Sequence, residues 1–367
     1  MSSAALANGF AKSGRWDVKL IAPHDGPLRP YLQQLGLDVT IVPELESPQW
    51  SLKPYDAAVD ALASALQRLK PDIVFCSTIL TFPAVDAAHR IGLPCVWNIR
   101  EGEPWQKLLA DRHPKVAQRA LAGFTTAAKI VFVAEASCKV WQDFQGGQSQ
   151  FHVIRNAPDV PIAPSSQSKA ELRRHLKIDQ DRCVILCVGT LTARKGQSDI
   201  AQAMAQLAQS APGKFCCVLV GEDGGGAAGA EALQILSGGH LILPGVSDSP
   251  ADWYRAADLY VCSSRFEAVP RTLHEAAANN LPIISTPVGG IGEVFRLGTS
   301  ALSYSPGDVQ ALITCILDLA HDPGKRASLI QEAQADLKAL GTVEEMIARY
   351  ESLMTDAMTP LRQASRK

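Results

Sequence analysis

Short apolar runs alternate with amphipathic, helix-length segments along nearly the whole chain. Helical periodicity in the first half is clearest over residues 56–69 and 81–91. The apolar runs of this half lie at residues 18–22, 39–42, 73–76, 95–99, 130–133 and 151–154. Regular alternation of helices with strands that are nearly continuously apolar is typical of a parallel sheet covered on both faces. The pattern therefore predicts one α/β domain built on a parallel sheet in the first half.

A change in composition separates this series from a second one. Residues 157–166 are rich in proline and serine, which neither continue a helix nor fit a central strand, so we expect an interdomain linker there. Further apolar runs follow, each succeeded by a helical pattern, at residues 183–188, 215–220, 240–243, 259–262, 283–285 and 302–304. We predict two doubly wound, Rossmann-like domains facing a cleft, residues 1–157 and 158–341. Residues 342–367 are predicted to hold a helix that packs across both domains.

The start of the chain departs from this order. Residues 2–12 have helical periodicity and lie directly before the strand predicted at 18–22. A doubly wound domain normally opens with a strand and a tight turn into its first helix. The pattern therefore predicts that the first strand of the N-terminal domain is missing.

Composition narrows the classes of protein to consider. The 367 residues are 47% hydrophobic and 20% charged, fractions that exclude a disordered chain and a disulfide-held miniprotein. The 35 Lys and Arg against 37 Asp and Glu give a net charge of −2, so no general attraction to nucleic acid is expected. Nine cysteines without C-x-x-C pairs favour buried reduced thiols over a zinc site. Because no apolar run reaches the roughly 18 residues of a membrane span, and the opening lacks a signal-like basic start, we expect a cytoplasmic protein.

The carboxyl ends of the second series of strands mark the expected ligand site. In open parallel sheets ligands bind there, because helix amino termini and loop N–H groups converge at that edge. The richest loop follows the strand at 259–262, and in it Val269 precedes Pro270, which fits the first position of a helix. The N–H groups of Arg271 and Thr272 would then point unpaired toward an anion.

Two carboxylates flank this predicted anion site. Glu267 precedes the helix and Glu275 lies on its second turn, so both can accept hydrogen bonds from hydroxyls beside a phosphate. Amide donors between two such acceptors suit a nucleotide sugar. Chance alone places two glutamates at this spacing in many proteins, which is the alternative interpretation.

A basic pair follows the glycine turn at Gly189. Arg194 and Lys195 lie beyond the carboxyl end of the strand at 183–188, where a lysine can place a point charge on a leaving diphosphate. The alternative is a solvated surface pair, the commoner situation of Arg and Lys.

Two further motifs match the sequences of known ligand sites but lie at positions where the fold does not place such a site. Residues 224–229 satisfy G-x-G-x-x-G, and Asp248 lies at a suitable distance to bind a ribose, but the match falls in the second strand–helix unit of its domain. Asp179 and Asp181 have the D-x-D form of a metal–nucleotide site, yet they precede the strand at 183–188 and so lie at the opposite edge. We therefore expect neither a nicotinamide cofactor nor a metal.

Several of these segments resemble the retaining glycosyltransferases of family 4, the glycosyl transferases group 1, which have the GT-B fold. The resembling segments are residues 188–196, residues 257–264, Glu267, Glu275 and residues 281–293. The likeness is specific from about residue 184 to 295, and in the first domain it rests mainly on strand order. It implies transfer of a hexose from a nucleotide sugar, with the anomeric configuration kept, to a saccharide, lipid-linked or small-molecule acceptor such as a precursor of cell-envelope polysaccharide.

The resemblance also implies roles for individual residues. Lys195 would contact the diphosphate, Glu275 the ribose hydroxyls and Glu267 the donor sugar near the reacting carbon. The turn at Gly245 and Val246 would face the base through its backbone. Such enzymes usually need no metal.

Two positions differ from the family pattern. Thr190 stands where the family commonly has an arginine, so Arg194 is expected to supply that charge. The loop after Pro94 lacks the family's histidine near the acceptor; Asn98, Arg100 and Glu101 are the candidates there, with a surface ion pair as the alternative for the last two.

Other functions remain open. Because of the missing strand, a catalytically silent or truncated glycosyltransferase-like protein that binds a nucleotide or a partner enzyme is the main alternative. A GT-B epimerase or phosphorylase is another.

Residues 107–129 carry an excess of positive charge. Five cations stand against Asp111, and Val116, Ala120, Leu121 and Phe124 lie on one helical stripe. The segment therefore predicts either peripheral contact with an anionic membrane, at its inner face, or an ordinary helix with its stripe in the core.

Overall fold

The computed structural model describes residues 3–26, 28–46, 51–145, 149–159 and 167–364. Contacts divide the chain into two units, Met1–Ala157 with Thr342–Lys367, and Pro158–Gly341. The predicted linker at 157–166 lies mostly outside the described residues.

The first unit contains two parallel sheets rather than the single sheet that the pattern predicts. Strands β1 (Lys19–Ala22) and β2 (Asp38–Ile41) pair with each other. The second sheet has the order β3 (Val74–Ser77), β4 (Cys95–Ile99), β5 (Lys129–Phe132) and β6 (Phe151–Val153). Among the described residues β1 and β3 are not paired with each other, so the strand layer is interrupted between them.

Helices cover both faces of the four-stranded sheet. The helices of this unit are α1 (Ser3–Lys12), α2 (Arg29–Gln34), α3 (Leu52–Leu69), α4 (Phe82–Arg90), α5 (Trp105–Leu108), α6 (Pro114–Thr126), α7 (Glu135–Gln145) and α16 (Val343–Ala364), the last returning from the C-terminus. Short 3-10 helices lie at Pro43–Glu46 and Ile79–Thr81. Helix α1 is the first described element, and β1 follows it.

Alternate residues of the strands supply two cores, one on each face. Trp97 of β4 faces one core, where its ring contacts Phe124 of α6. Phe75 of β3 faces the other, where it makes edge-to-face contacts with Phe10 of α1 and Tyr350 of α16. Helix α16 is therefore a structural part of the first unit.

The apolar stripe of α6 lies in the core, which corresponds to the second interpretation of residues 107–129. Val116, Ala120 and Phe124 are each at most 1% exposed. These side chains pack inside the unit and are not available to enter a lipid surface. Among the described helices, none is both long and apolar enough to cross a bilayer.

The second unit has one six-stranded parallel sheet. Its strands, in spatial order, are β12 (Leu302–Ser303), β11 (Ile283–Ser285), β10 (Leu259–Cys262), β7 (Cys183–Val188), β8 (Phe215–Val220) and β9 (Leu241–Gly245). Its helices are α8 (Lys169–His175), α9 (Gln197–Ser210), α10 (Ala230–Leu236), α11 (Pro250–Ala256), α12 (Arg271–Ala278), α13 (Ile291–Val294), α14 (Val309–His321) and α15 (Pro323–Ala339). Short 3-10 helices lie at Ala193–Lys195 and Gly226–Ala228.

The order of these strands fixes where a site can form. The chain starts at β7, builds β8 and β9 on one side, and then returns to build β10, β11 and β12 on the other. The direction of winding therefore reverses between β7 and β10, and in sheets of this kind ligands bind beyond the carboxyl ends of the strands at that point.

The strand predictions are confirmed to within two residues at every predicted run, and five runs match at both ends. These five strands are mostly apolar, with Asn98 and Ser285 as the polar residues, so their boundaries are sharp in the sequence. All nine cysteines are free thiols, seven of them buried.

We predict that Tyr350→Ala lowers the free energy of unfolding of the first unit by about 3–5 kcal/mol, because it empties a fully buried aromatic site between α16 and the sheet. Arg349→Ala, on the exposed side of the same helix, is the matched control and should change it by less than about 0.5 kcal/mol. Urea unfolding followed by tryptophan fluorescence measures both. Equal midpoints for the two variants would show that α16 does not stabilise the unit.

Candidate functional site

Three loops of the second unit meet beside β7 and β10. The loop after β7 contacts the loop after β10: Arg265 N donates to Arg194 O at 2.7 Å, and Ser263 Oγ donates to Lys195 O at 2.9 Å. The loop after β11 joins them through Gly290 N, which donates to Ala268 O at 2.7 Å. The site is thus built from adjacent strands at the point where the winding reverses.

Two glycines permit this close approach of backbones. Gly196 has φ +65°, and a Cβ atom there would lie 2.1 Å from Ser263 O. Gly289 has φ +57°, and a Cβ atom there would lie 1.6 Å from Glu267 O. Any larger residue would both strain the backbone and push the loops apart.

The Glu267 carboxylate holds the basic pair. Its Oε1 accepts hydrogen bonds from Lys195 Nζ at 2.6 Å, Arg194 Nη1 at 3.0 Å and Ser264 Oγ at 3.0 Å. The Glu267 side chain is only 10% exposed, so water screens these contacts weakly. Two cations around one carboxylate leave a net positive charge, and among the described residues no hydrogen bond reaches Oε2. Arg194 and Lys195 are therefore not a solvated surface pair.

Helix α12 begins directly after this loop. Pro270, which the sequence places at the first helical position, lies one residue earlier, with φ −72°. Counting only the described residues, the first N–H along the helix to be bonded is that of Leu273, which donates to Pro270 O at 3.1 Å. The N–H groups of Arg271 and Thr272 precede it, at the positive end of the helix.

Helix α12 also carries the second predicted carboxylate. Arg271 Nε and Glu275 Oε1 form an ion pair at 2.9 Å, one helical turn apart. The other oxygen, Oε2, accepts a hydrogen bond from Tyr254 Oη of α11 at 2.8 Å. Tyr254 is not a predicted site residue, because a tyrosine in an amphipathic helix is usually a core residue. Burial raises the pKa of Tyr254, which keeps its hydroxyl protonated as a donor.

His274 lies on the buried side of α12, between the two charged residues in sequence. It is 3% exposed, and within the described part of the chain its Nε2 has no hydrogen-bond partner. Burial, together with the nearby charge of Arg271, lowers the pKa of His274 to about 4. The ring is therefore neutral at pH 7, and it packs edge-on against Phe295.

The other predicted donor-side residues lie at the same edge of the sheet. Gly189 follows β7 with φ +149°, and the side chain of Lys195 passes beside it. Thr190 is exposed, and its carbonyl accepts from Gln197 Nε2 at 3.1 Å. Val246 follows β9 and is 72% exposed, whereas Val269 packs partly against the core. Valine side chains carry no hydrogen-bonding group, so polar contacts of these two residues with a donor would use their backbones, which stays a prediction.

The predicted acceptor-side residues of the first unit differ in accessibility. Asn98 is 1% exposed and its Oδ1 accepts from Tyr350 Oη at 3.3 Å, so the structure removes it from the residues that can touch an acceptor directly. Glu101 Oε2 accepts from Ile79 N and from Arg100 N, both at 2.9 Å. Burial raises the pKa of Glu101.

The aspartates in and beside the two motifs at residues 179–181 and 224–229 make local hydrogen bonds. Asp223 Oδ1 accepts from Gly225 N at 2.9 Å and from Ala230 N at 3.0 Å, so the chain's own carboxylate binds one amide of the glycine-rich run and the amide that follows the run. Asp179 accepts from Asp181 N and from Arg182 Nε before β7 begins.

Two family models match the chain. The model of the glycosyl transferase 4-like domain matches residues 2–189, and the model of glycosyl transferases group 1 matches residues 168–336.

The similarity to curated relatives covers only part of the length of each relative. The D-inositol 3-phosphate glycosyltransferase of Rhodococcus jostii (strain RHA1) is 30% identical over 264 residues, which cover 68% of this chain and 56% of that protein. The enzyme of the same name from Thermomonospora curvata is 28% identical over 197 residues, which cover 49% and 45%. The chain spans about half the length of the curated relatives it matches.

Solved structures match over nearly the whole chain. Anabaena Alr3699/HepE in complex with UDP-glucose is 20% identical with a TM-score of 0.80, covering 96% of both chains. The sucrose-phosphate synthase of Thermosynechococcus elongatus is 18% identical with a TM-score of 0.77, covering 97% of this chain and 92% of that one. At these identities the likeness concerns the fold alone.

We predict that Gly289→Ala destabilises the second unit more than Gly298→Ala does. Both glycines have positive φ, but only Gly289 would bring a Cβ atom against the Glu267 carbonyl, whereas Gly298 has open space around it. The common backbone strain should cost about 1–2 kcal/mol in both variants, and the clash about 2 kcal/mol more in Gly289→Ala. Urea unfolding gives the comparison, and equal losses would mean that the loops do not press together at Gly289.

We predict that His274 makes the protein less stable as the pH falls from 7 to 5. The His274 imidazole takes up a proton near pH 6.5 in the unfolded chain but only near pH 4 in the folded one. The free energy of unfolding therefore falls as the pH drops from about 6.5 to about 4 and levels off below pH 4. The contribution is about 2 kcal/mol between pH 7 and pH 5.

Unfolding free energies at the two pH values, compared between the wild type and His274→Phe, isolate this effect. The variant should lose that part of the pH dependence, whereas His175→Phe, at an exposed position, should keep it. Identical pH dependence in the wild type and His274→Phe would contradict a buried neutral ring.

Proposed function

We propose that this chain, which belongs to the glycosyl transferase family matched by the 4-like and group 1 models, transfers a hexose from a nucleotide-sugar donor. The anomeric configuration of the hexose would be retained. The chain has the GT-B fold of two Rossmann-like α/β domains. The observation that carries the proposal is the convergence of Arg194 and Lys195 on Glu267 beside the amino terminus of α12. Retention of configuration rests on the resemblance to the retaining family.

The diphosphate of the donor would bind between the basic pair and α12. Backbone N–H groups at a helix amino terminus favour an anion, and those of Arg271 and Thr272 stand at that end. Three cations (Arg194, Lys195, Arg271) against two carboxylates (Glu267, Glu275) leave one net positive charge for the phosphates. As the glycosidic bond breaks, negative charge grows on the leaving diphosphate, and Lys195 would stabilise it there.

The two carboxylates would bind the sugars on either side. Glu267 Oε2, which no hydrogen bond reaches within the described part of the chain, would accept from a hydroxyl of the transferred hexose, while Oε1 stays with the cations. Glu275 would take the ribose hydroxyls, and the turn at Gly245 and Val246 would face the base through its backbone. Thr190 and Gly189 would line the donor next to Lys195.

Names of related proteins suggest the substrates to try first. Solved neighbours hold UDP and UDP-glucose, and curated relatives are named for D-inositol 3-phosphate. We propose a hydroxyl of a saccharide, a lipid-linked sugar or a polyol phosphate as the acceptor, with Arg100 and Glu101 as its contacts. If the acceptor is lipid-linked, the exposed cations Lys107 and Lys115 are the proposed contact with acidic head groups, because the α6 stripe is buried.

A nucleotide-binding protein without transferase activity is the second candidate. The observation that favours it is the interruption of the strand layer between β1 and β3 in the first unit. Donor binding without any turnover would support this alternative.

We predict that the protein releases nucleoside diphosphate from at least one of UDP-, GDP- and ADP-hexoses when supplied with a panel of saccharide, polyol-phosphate and lipid-linked acceptors. Activity should survive EDTA, since the proposed chemistry uses no metal. Proton NMR of the product should show the anomeric configuration of the donor. Failure of every donor to bind would overturn the proposal, and an inverted product would overturn retention alone.

We predict that Lys195→Ala lowers kcat about 100- to 1,000-fold, because it removes the main charge on the leaving diphosphate. Lys214→Ala is the matched control; this exposed lysine precedes β8 at the opposite edge of the sheet and should leave kcat unchanged. Steady-state rates with the donor identified above, on variants with unchanged circular dichroism, measure the effect. A loss of less than 3-fold in Lys195→Ala would contradict the assigned role.

A further inference from the structure

Tyr254 is a buried tyrosine whose hydroxyl reaches the candidate site. The residue is 1% exposed, and its ring packs against that of Tyr260, with ring centroids 5.7 Å apart. Core packing therefore fixes the position of the ring. Its one polar atom donates to Glu275 Oε2 at 2.8 Å, so a rigid core group determines where that oxygen lies.

The other oxygen of Glu275 is held differently. Arg271 Nε contacts Oε1 at 2.9 Å, but the Arg271 side chain is 44% exposed and also reaches Asp159 O through Nη2 at 3.2 Å. An exposed arginine has more freedom to move than a buried phenol. Of the two partners, Tyr254 is thus the one that can set the orientation of the carboxylate before a ligand binds.

The contacts with Tyr254 and Arg271 leave the Glu275 carboxylate able to accept further hydrogen bonds from a ligand. Each oxygen of an ionised carboxylate can accept two hydrogen bonds. Among the residues that the structure describes, Tyr254 uses one position on Oε2 and Arg271 uses one on Oε1, so one acceptor position remains on each oxygen. The Glu275 side chain is 19% exposed, which leaves the group accessible. Two acceptor positions side by side on one fixed carboxylate match two neighbouring hydroxyls, a vicinal diol.

We propose that Tyr254 is a positioning residue that orients Glu275 for a vicinal diol and thereby makes the site select ribonucleotides over 2′-deoxyribonucleotides. The proposal rests on the proposed function, in which Glu275 binds the ribose of the donor. Tyr254 itself does not touch the ligand. It restricts the rotation of the Glu275 carboxylate, so that the carboxylate binds both hydroxyls without first having to reorient.

A purely structural hydrogen bond would have a different consequence. Removing it would lower stability, and would weaken all ligands of the site to the same degree. A positioning role instead changes the ratio between ligands that differ only in the 2′-hydroxyl. The ratio of two affinities is therefore the quantity to measure.

Isothermal titration of the full chain gives this ratio. UDP, GDP and ADP are titrated first, and whichever binds is compared with its 2′-deoxy counterpart in the wild type and in Tyr254→Phe. The wild type should bind the ribonucleotide about 10-fold or more tightly than the deoxynucleotide, since a hydrogen bond to a charged group is involved. In Tyr254→Phe the preference should fall below about 3-fold, mainly through weaker binding of the ribonucleotide.

Tyr304→Phe is the matched control. Tyr304 is also buried, and its hydroxyl also faces a carboxylate of the second unit, that of Asp199 at 3.4 Å. Removing it should leave the ribose preference as in the wild type. If Tyr254→Phe does not fold, Tyr254→Met, which fills the core without a hydroxyl, gives the same comparison.

Each outcome decides a separate question. A reduced preference in the Tyr254 variant with an unchanged one in Tyr304→Phe supports the assignment. An unchanged preference in the Tyr254 variant, or a wild type that binds both nucleotides equally, overturns the inference and leaves the proposed function standing. A wild type that binds none of the three ribonucleotides overturns the proposed function itself.

Discussion

The attraction between one carboxylate and two cations organises the candidate site. Glu267 lies in the loop after β10, whereas Arg194 and Lys195 lie in the loop after β7, and the charges hold these loops together. The contact is largely shielded from water, so it is stronger than a surface ion pair and costly to leave half-made. Without Glu267 two cations would repel each other in the same place, and without them the carboxylate would be buried alone. The excess positive charge that results is what makes the site suitable for a diphosphate.

The geometry of the sheet explains why this contact forms where it does. Neighbouring parallel strands end at the same edge, and β7 and β10 are neighbours although 70 residues of chain lie between the end of β7 and the start of β10. Gly196 and Gly289 then allow the loops to approach closer than side chains would permit. Helix α12 adds a second polar group, in which Tyr254 and Arg271 occupy one position on each oxygen of Glu275. The same contacts thus contribute to stability and to the proposed binding. Each carboxylate accepts hydrogen bonds from protein donors and would still accept further ones from a ligand.

Much of the fold could be predicted because most strands are apolar runs bounded by glycine, proline or polar residues. The rule that ligands bind at strand carboxyl ends predicts Glu267 and Lys195 at the same edge of the sheet, and the structure places their charged groups 2.6 Å apart. The interruption between β1 and β3 could not be predicted, since strand pairing is a tertiary property that local periodicity does not encode. The same holds for Asn98, a polar residue near a strand end that faces α16 instead of solvent, and for Tyr254, whose hydroxyl points out of a core that its ring helps to form.

A crystal structure of the chain with a nucleoside diphosphate bound would show whether one diphosphate site lies at the amino terminus of α12. We expect phosphate oxygens within hydrogen-bond distance of Lys195 Nζ and of the Arg271 and Thr272 N–H groups, with the ribose hydroxyls on Glu275. A nucleotide bound instead at the glycine-rich run of residues 224–229, or at the opposite edge of the sheet, would contradict it.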